Sequence, residues 1–300
     1  TNNTPKKFQK MTKYVLSLDG GGVRGLSSAT FLKKLEEELS EPLNNKFDLI
    51  CGSSTGGILG ISLSVLTLEG KKIVDHYSKE KLKKMFRSRS SRIMSSKYKG
   101  KEKNNVLKDY FGSLLLGEAE TPTIAVSYDL KERSTKLFKS YEDFYIESWR
   151  VAAATSAAPT YFPAIQVNDR WFVDGSLSTN NPILIAYSEA KKLWPYENIK
   201  ILSIGTGYDS RSYEGKKVKN WGIFSWLKGG IMQVLMESNS EHLIAESLLN
   251  NDYLRITSRL INVNHKFDDI TDMNLDACKD MGNIWWNNYG RQTVKFLSSH

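Results

Sequence analysis

One serine lies in a pattern that is typical of nucleophilic catalysis. Ser54 is the central residue of a Gly-x-Ser-x-Gly pattern that begins at Gly52 and ends at Gly56, between the apolar run 47–51 and the mainly apolar run 57–63. A strand, a tight turn and a helix in this order push the serine clear of the backbone, and the glycines remove the Cβ atoms that would block the bend. A helix N-terminus also favours developing negative charge. The sequence therefore predicts that Ser54 is a nucleophile.

A glycine-rich loop lies earlier in the chain and contains Gly20, Gly21, Gly22 and Gly25. Successive glycines expose backbone N–H groups, which could stabilise the negative oxygen of a tetrahedral intermediate in an oxyanion hole. The same spacing also suits a dinucleotide-binding loop, but that site needs an acidic residue about twenty positions on, at the tip of the second strand. Because this chain has Ser54 at that tip, the pattern favours an oxyanion hole.

The predicted nucleophile needs a base, and the chain offers two kinds. In an ordinary serine hydrolase the base is a histidine. The four histidines are His76, His242, His265 and His300, and His265 lies in a late loop where a triad histidine could fall. The other candidate is Asp174, which lies where an apolar strand meets a glycine. Desolvation in an apolar cleft could raise the pKa of this carboxyl above its usual value of about 3.9 and make it a better base.

Alternating strands and helices must position these residues, and their order predicts an α/β fold with parallel strands and right-handed crossovers. The predicted strands are 14–18, 47–51, 123–128, 134–138, 199–204 and 253–256, with a hairpin through Asn168 and Asp169. The predicted helices are 26–39, 73–85, 106–116, 148–158 and 275–296, and one that starts with Asn181 as its cap and Pro182 as its first residue.

Composition limits the class of protein. Three hundred residues with 40% apolar content can bury a large core, and we expect a flexible tail over residues 1–12 and one domain over residues 13–300. The formal net charge of +9 suits an anionic surface, and nucleic-acid binding rests on that charge alone. Cys51 and Cys278 are too few for a disulfide framework. Since we find no membrane-spanning run and no signal peptide, we expect a cytoplasmic protein that is peripheral at membranes.

Four motifs occur in one order along the chain. They are Asp-Gly-Gly-Gly-x-Arg-Gly at 19–25, Gly-x-Ser-x-Gly at 52–56, Ala-Thr-Ser-Ala-Ala-Pro-Thr-Tyr-Phe at 154–162, and Asp-Gly at 174–175. This combination resembles the patatin-like phospholipase family over roughly residues 13–207. The resemblance implies a three-layer α/β/α sandwich with a mainly parallel central sheet.

The same resemblance implies roles for individual residues. Ser54 would be the nucleophile and Asp174 the base of a Ser–Asp dyad, and Gly20, Gly21 and Gly22 would supply the oxyanion donors. Arg24 would support the glycine loop or bind the lipid phosphate. Ser176 is a departure, since the family usually has alanine or glycine there.

The implied activity is hydrolysis of fatty-acyl esters of membrane phospholipids and lysophospholipids, without a metal or other cofactor. Two alternatives stay open: a histidine-dependent serine esterase or peptidase that uses His265, and a non-catalytic module that binds a nucleotide or a lipid. We also expect a solvated basic loop at 86–103. Four apolar residues could line an acyl channel, contact the membrane interface or simply pack in the core: Trp221, Phe224, Trp226 and Ile231.

Overall fold

The computed structural model of the chain describes residues 11–88, 95–210, 215–220, 222, 225 and 240–298. Several sequence-based predictions fall outside these residues. They concern the tail up to residue 10, part of the basic loop, the residues Trp221, Phe224, Trp226 and Ile231, and His300.

The strands form one eight-stranded sheet. They are β1 Thr12–Leu18, β2 Leu49–Ser53, β3 Thr123–Asp129, β4 Ser134–Lys139, β5 Ile165–Val167, β6 Arg170–Asp174, β7 Asn198–Ile204 and β8 Tyr253–Ile256. The order is β5-β6-β3-β2-β1-β7-β8, and β4 also pairs with β3. The strands β3, β2, β1, β7 and β8, in that order across the sheet, are parallel to their neighbours. The pairs β3–β4, β3–β6 and β5–β6 are antiparallel.

The helices are α1 Gly25–Leu39, α2 Leu43–Lys46, α3 Thr55–Val65, α4 Gly70–Val74, α5 Lys79–Met85, α6 Gly100–Phe111, α7 Ser148–Thr155, α8 Ile183–Leu193, α9 Gly215–Val218, α10 Ser240–Leu249 and α11 Asp272–Ser298. In the part of the chain that is described, no helix is both long enough and apolar enough to cross a membrane.

Helices cover both faces of the sheet. Leu16 and Leu18 of β1 pack with α1 and α11 on one face, whereas Val15 of β1 and Cys51 of β2 pack with α8 on the other. Successive side chains of a strand point to opposite faces, and a parallel sheet covered on both faces is apolar along its whole length. The predicted three-layer sandwich with a mainly parallel sheet is confirmed.

Several predicted helices have other bounds in the structure: the helix predicted at 148–158 ends at Thr155, the one predicted at 275–296 begins at Asp272, and three more differ as follows. The predicted helix 73–85 is interrupted, because Ser78 adopts an extended backbone with φ −59° and ψ 138°, and α5 begins after it. The predicted helix 106–116 begins earlier, at residue 100, and ends before Gly112, whose φ is +58°. The helix predicted to start at Pro182 begins at Ile183, whose amide donates to Asn181 Oδ1 over 3.2 Å.

The turn between β2 and α3 brings backbones into very close contact. A Cβ atom on Gly52 would lie 2.1 Å from the carbonyl oxygen of Gly56. A Cβ atom on Gly56 would lie 2.3 Å from the carbonyl oxygen of Leu18 at the end of β1. Neither position has room for a side chain, so the two glycines of the serine pattern fix where α3 starts.

Gly56→Ala should therefore destabilise the fold by about 3 kcal/mol, because the added methyl group overlaps a backbone carbonyl that cannot move alone. Gly60→Ala in the same helix is the matched control, since its Cβ would meet only side-chain methyl groups, Ile50 Cγ2 at 3.1 Å and Thr123 Cγ2 at 3.8 Å. We expect its free energy of unfolding in urea to stay within about 1 kcal/mol of the native value. Equal losses in the two variants would contradict this account.

Candidate active site

Ser54 and Asp174, which we call the candidate dyad, are in direct contact although 120 residues separate them. Ser54 Oγ donates a hydrogen bond to Asp174 Oδ2 over 2.6 Å. Both residues are buried, with 5% of Ser54 and 1% of Asp174 exposed. Ser54 ends the turn after β2, and Asp174 is the last residue of β6, which pairs with β3 beside β2.

The backbone of Ser54 is held in an unusual conformation. Its φ is +53° and its ψ is −121°, a combination that costs a non-glycine residue of order 1–3 kcal/mol. The amide of Ser54 donates to Thr155 Oγ1 over 3.0 Å, and Thr155 Oγ1 in turn donates to the carbonyl oxygen of Val126 on β3. Thr155 thereby anchors the strained turn to the sheet.

The Asp174 carboxylate accepts its hydrogen bonds from two serines, Ser54 and Ser176. Its other oxygen, Oδ1, accepts from the amide of Ser176 over 2.8 Å, and its own amide donates to Ala157 O over 3.1 Å. Burial raises the pKa of Asp174 to about 6, while the hydrogen bonds from Ser54 and Ser176 and the charge of Lys103 act in the opposite direction. This carboxyl group therefore binds a proton more readily than an exposed aspartate.

The glycine loop, residues 19–25, lies directly against the candidate dyad. A Cβ atom on Gly20 would lie 3.1 Å from Ser54 Cβ. The amide of Gly20, however, donates to the carbonyl oxygen of Asn180 over 3.1 Å, so it is not available to a substrate. Within the described residues the amides of Gly21 and Gly22 have no acceptor. Of the three predicted oxyanion donors, Gly21 and Gly22 thus remain as candidates.

Contacts from distant segments hold the glycine loop in place. Thr206 Oγ1 donates to Gly20 O over 2.8 Å, and the amide of Val23 donates to Phe267 O over 2.9 Å. Gly22 has φ +57°, and a Cβ atom there would lie 2.3 Å from Phe267 O. A glycine is therefore required where the loop meets the segment around Phe267.

Arg24 lies behind the glycine loop and is only 1% exposed. Its guanidinium carbon lies 4.4 Å from the centroid of the Phe267 ring. The described residues that line the cleft do not include Arg24. This position suits support of the loop better than contact with a lipid phosphate. Gly25, the last residue of the loop, is the first residue of α1.

The first residue of the loop forms a buried ion pair that the sequence did not reveal. Arg255 on β8 donates through Nη1 to Asp19 Oδ1 over 2.8 Å and through Nη2 to Asp19 Oδ2. The same guanidinium group donates to Ser203 Oγ on β7 over 2.7 Å. Burial alone would lower the pKa of Arg255, but the charge and hydrogen bonds of Asp19 raise it above its ordinary value. Burial likewise raises the pKa of Asp19, against the charge and hydrogen bonds of Arg255. The two hydrogen bonds of the pair tie the loop to the sheet.

A mainly apolar cleft of about 1080 Å³, including its open mouth, contains the candidate dyad in its wall. Its apolar lining comes from the glycine loop, α3, α5, α6 and the segment after α7, and includes Val23, Ile58, Leu59, Leu82, Met85, Phe86, Val106, Leu107, Pro159 and Phe162. Such a lining is suited to an aliphatic chain rather than to a charged molecule.

The outer wall of the cleft is joined to the segment that holds the glycine loop. Lys97 Nζ and Tyr98 Oη both donate to Asp268 Oδ2, next to Phe267. The Tyr98 ring also packs against both Phe86 and Phe162, at centroid distances of 5.1 and 5.5 Å. The predicted solvated loop at 86–103 is therefore partly packed on the cleft, where its residues are described.

Among the described residues, which exclude His300, no histidine is hydrogen-bonded to Ser54. The described lining of the cleft includes His76 but neither His242 nor His265. Burial lowers the pKa of His76 to about 3, and its ring lies against Tyr110 with centroids 3.5 Å apart. His242 Nδ1 lies 3.0 Å from Tyr253 Oη, away from the cleft.

Comparison with known proteins places the chain among lipid hydrolases. A family model described as patatin-like phospholipase matches residues 16–187. Patatin-like protein 1 of Arabidopsis thaliana is 30% identical over 94% of this chain and 83% of its own length. A cGAMP-activated phospholipase of Pseudomonas aeruginosa is 31% identical over 83% of this chain and 79% of its own length. The crystal structure of VipD from Legionella pneumophila shares the fold, with a TM-score of 0.55 at 13% identity over 96% of this chain and 67% of that one.

Removing one partner of the buried ion pair should be costly. Arg255→Met leaves the Asp19 carboxylate buried and unpaired, so we expect a loss of about 3–5 kcal/mol in the free energy of unfolding, measured in urea at pH 7. The double variant Asp19→Asn with Arg255→Met should recover a large part of that loss.

Arg150→Met is the matched control, because Arg150 pairs with Glu147 at the surface, where the two side chains are 41% and 39% exposed. Its effect should stay below about 1 kcal/mol. If Arg255→Met were as mild as this control, the ion pair would not be what anchors the glycine loop.

Proposed function

This chain belongs to the patatin-like phospholipase family, whose characterised members are hydrolases, and from this membership we propose that it cleaves the fatty-acyl esters of membrane phospholipids. In this proposal Ser54 is the nucleophile and Asp174 is its general base. The observation that carries the proposal is the hydrogen bond of 2.6 Å between their side chains in the wall of an apolar cleft. Residues 13–300 are proposed to act as one catalytic domain.

The first half-reaction forms an acyl-enzyme. Asp174 takes the proton of the Ser54 hydroxyl group while Ser54 Oγ attacks the acyl carbonyl carbon. The carbonyl oxygen becomes negative, and the amides of Gly21 and Gly22 stabilise it; one such donor contributes about 3–4 kcal/mol in other enzymes. The ester C–O bond then breaks, and the lipid alcohol leaves with the proton that Asp174 held.

The second half-reaction releases the fatty acid. Asp174 takes a proton from a water molecule, and the resulting nucleophile attacks the carbonyl carbon of the acyl-serine. The bond between Ser54 Oγ and the acyl carbon breaks as Ser54 recovers its proton from Asp174. A carboxyl group whose pKa is raised is suited to both proton transfers, because it accepts and returns a proton near neutral pH.

Two properties of the chain support a membrane substrate. The cleft offers apolar walls for an acyl chain, and the net charge of +9 favours contact with an anionic phospholipid surface. We therefore propose that the protein works as a peripheral enzyme at anionic membranes, on phospholipids or lysophospholipids.

Ser54→Ala and Asp174→Asn should each reduce fatty-acid release by at least about 10³-fold, because the first removes the nucleophile and the second cannot accept a proton. The products are measured by mass spectrometry after incubation with vesicles of phosphatidylglycerol and phosphatidylethanolamine. The assay is run with and without cGAMP, because a relative that is 31% identical is named for activation by that ligand.

His265→Ala is the control and should keep its activity within about threefold of the native chain. The opposite pattern, with His265→Ala inactive and Asp174→Asn active, would establish a histidine-dependent esterase. Covalent labelling of Ser54 by a fluorophosphonate probe distinguishes either enzyme from a module that only binds a ligand.

The pH dependence should report the ionisation of Asp174. Because Asp174 acts as a base only when deprotonated, kcat/KM should fall tenfold per pH unit below its pKa, which burial raises to about 6. Hydrolysis of a soluble nitrophenyl ester between pH 4.5 and 8 measures this limb without vesicles. A midpoint near 4, as for an exposed aspartate, would mean that Asp174 is not the desolvated base.

A further inference from the structure

Lys103 is a buried lysine that the proposed reaction leaves without a role. It lies on α6, it is 1% exposed, and it lines the same cleft as Ser54 and Asp174. Burying an ammonium group is unfavourable unless its lost hydration is replaced. The residues around Lys103 must therefore provide hydrogen-bond acceptors for its ammonium group.

The ammonium group of Lys103 caps the end of α7. It donates to Ala153 O over 3.1 Å, to Ser156 O over 2.9 Å and to Ser156 Oγ over 3.1 Å. It also lies 4.4 Å from the centroid of the Phe162 ring. Each of its three N–H groups thus has an acceptor, and a cation is favoured at a helix C-terminus. Lys103 fixes Ser156 through both its backbone and its side chain.

The two neighbours of Ser156 hold the backbones of the candidate dyad. Thr155 Oγ1 accepts from the amide of Ser54 over 3.0 Å, and Ala157 O accepts from the amide of Asp174 over 3.1 Å. One short segment, 155–157, therefore contacts both residues of the dyad. Whatever fixes Ser156 fixes the spacing between Ser54 and Asp174.

We propose that Lys103 is a positioning residue for the Ser54–Asp174 dyad. Its ammonium group, which α6 carries, locks segment 155–157 and supplies a buried positive charge that acts on the Asp174 carboxylate. The inference rests on the proposed roles of Ser54 and Asp174.

The electrostatics of the cleft agree with this arrangement. Burial raises the pKa of Asp174, and the charge of Lys103 is among the causes that limit the rise. Burial lowers the pKa of Lys103 to about 7, and the charge of Asp174 opposes that change. The other titratable residues that line the described cleft are His76, Tyr77, Lys81, Tyr110, Tyr161 and Asp268. Of these, Asp268 is paired with Lys97.

Two of those neighbours are neutral over the range of the test. Burial lowers the pKa of His76 to about 3 and raises the pKa of Tyr161 to about 12. Replacing Lys103 by an uncharged residue therefore changes the charge that acts on Asp174 without changing the charge of His76 or Tyr161.

The test is the pH dependence of Ser54 labelling by a fluorophosphonate probe, between pH 5 and 8.5. Lys103→Met removes the charge and the donors, and should slow labelling at its plateau by about 100-fold. Native Lys103 is still charged at the labelling midpoint, because its pKa of about 7 lies above the pKa of about 6 of Asp174. Losing that charge should therefore move the midpoint up by about one pH unit, because Asp174 then ionises less readily. Lys103→Gln keeps donors toward Ser156 without the charge, so it should show the same shift with a smaller loss of rate.

Lys103→Arg retains the charge and should keep the native midpoint. Lys108→Met is the matched control on the same helix: Lys108 lies 4.4 Å from the Trp149 ring of α7 and is exposed, so neither its rate nor its midpoint should change. Circular dichroism identifies folded variants, and Lys103→Gln carries the test if Lys103→Met does not fold.

The outcomes separate this inference from the proposed function. If native Ser54 is labelled and the uncharged variants keep the native midpoint, the role of Lys103 is overturned and the proposed function stands. If native Ser54 is not labelled at any pH, the proposed function fails and the role of Lys103 fails with it. A shifted midpoint in both uncharged variants, with Lys103→Arg unshifted, supports the inference.

Discussion

The hydrogen bond between Ser54 and Asp174 depends on how closely helix α3 approaches the ends of β1 and β2. At Gly52 and Gly56 the backbones are so close that a single methyl group would overlap a carbonyl oxygen. That approach forces Ser54 into its strained conformation and turns its side chain toward Asp174. The strain, of order 1–3 kcal/mol, persists because nearly every residue of α3 is buried and the helix cannot shift to relieve it.

Two buried aspartates show how one residue type acquires different properties from its surroundings. Burial also raises the pKa of Asp19, but both terminal nitrogens of Arg255 bind its two oxygens and oppose that rise, so Asp19 serves to anchor the glycine loop. Asp174 accepts hydrogen bonds from the neutral groups of Ser54 and Ser176, and burial raises its pKa to about 6. Because neutral donors offset burial less than a paired cation does, Asp174 is suited to receive a proton.

The site is assembled from segments that come from most of the length of the chain. The glycine loop is held by Asn180 and Thr206 on one side and by Phe267 on the other, while Thr155 and Ala157 hold the dyad. Asp268, next to Phe267, binds Lys97 and Tyr98 from the outer wall of the cleft. The wall that would enclose a substrate and the loop that would stabilise its oxyanion therefore share one support.

The sequence by itself determined the local geometry. The order of apolar runs and glycines predicted the strand, turn and helix around Ser54, because backbone sterics and side-chain periodicity act over one or two turns. The sandwich and the role of Asp174 were implied by the resemblance that four ordered motifs carry. Helical periodicity alone did not reveal the break at Ser78, where the backbone becomes extended.

Only the tertiary structure decided which groups meet. Asp174 rather than His265 contacts Ser54, the Gly20 amide is already bound to Asn180, and Arg255 pairs with Asp19 from 236 residues away. Lys103 stood in a lysine-rich stretch predicted to be solvated, yet it is buried against α7. Partners so distant in sequence leave no local pattern, and the desolvation that shifts a pKa exists only once the surrounding segments have packed together.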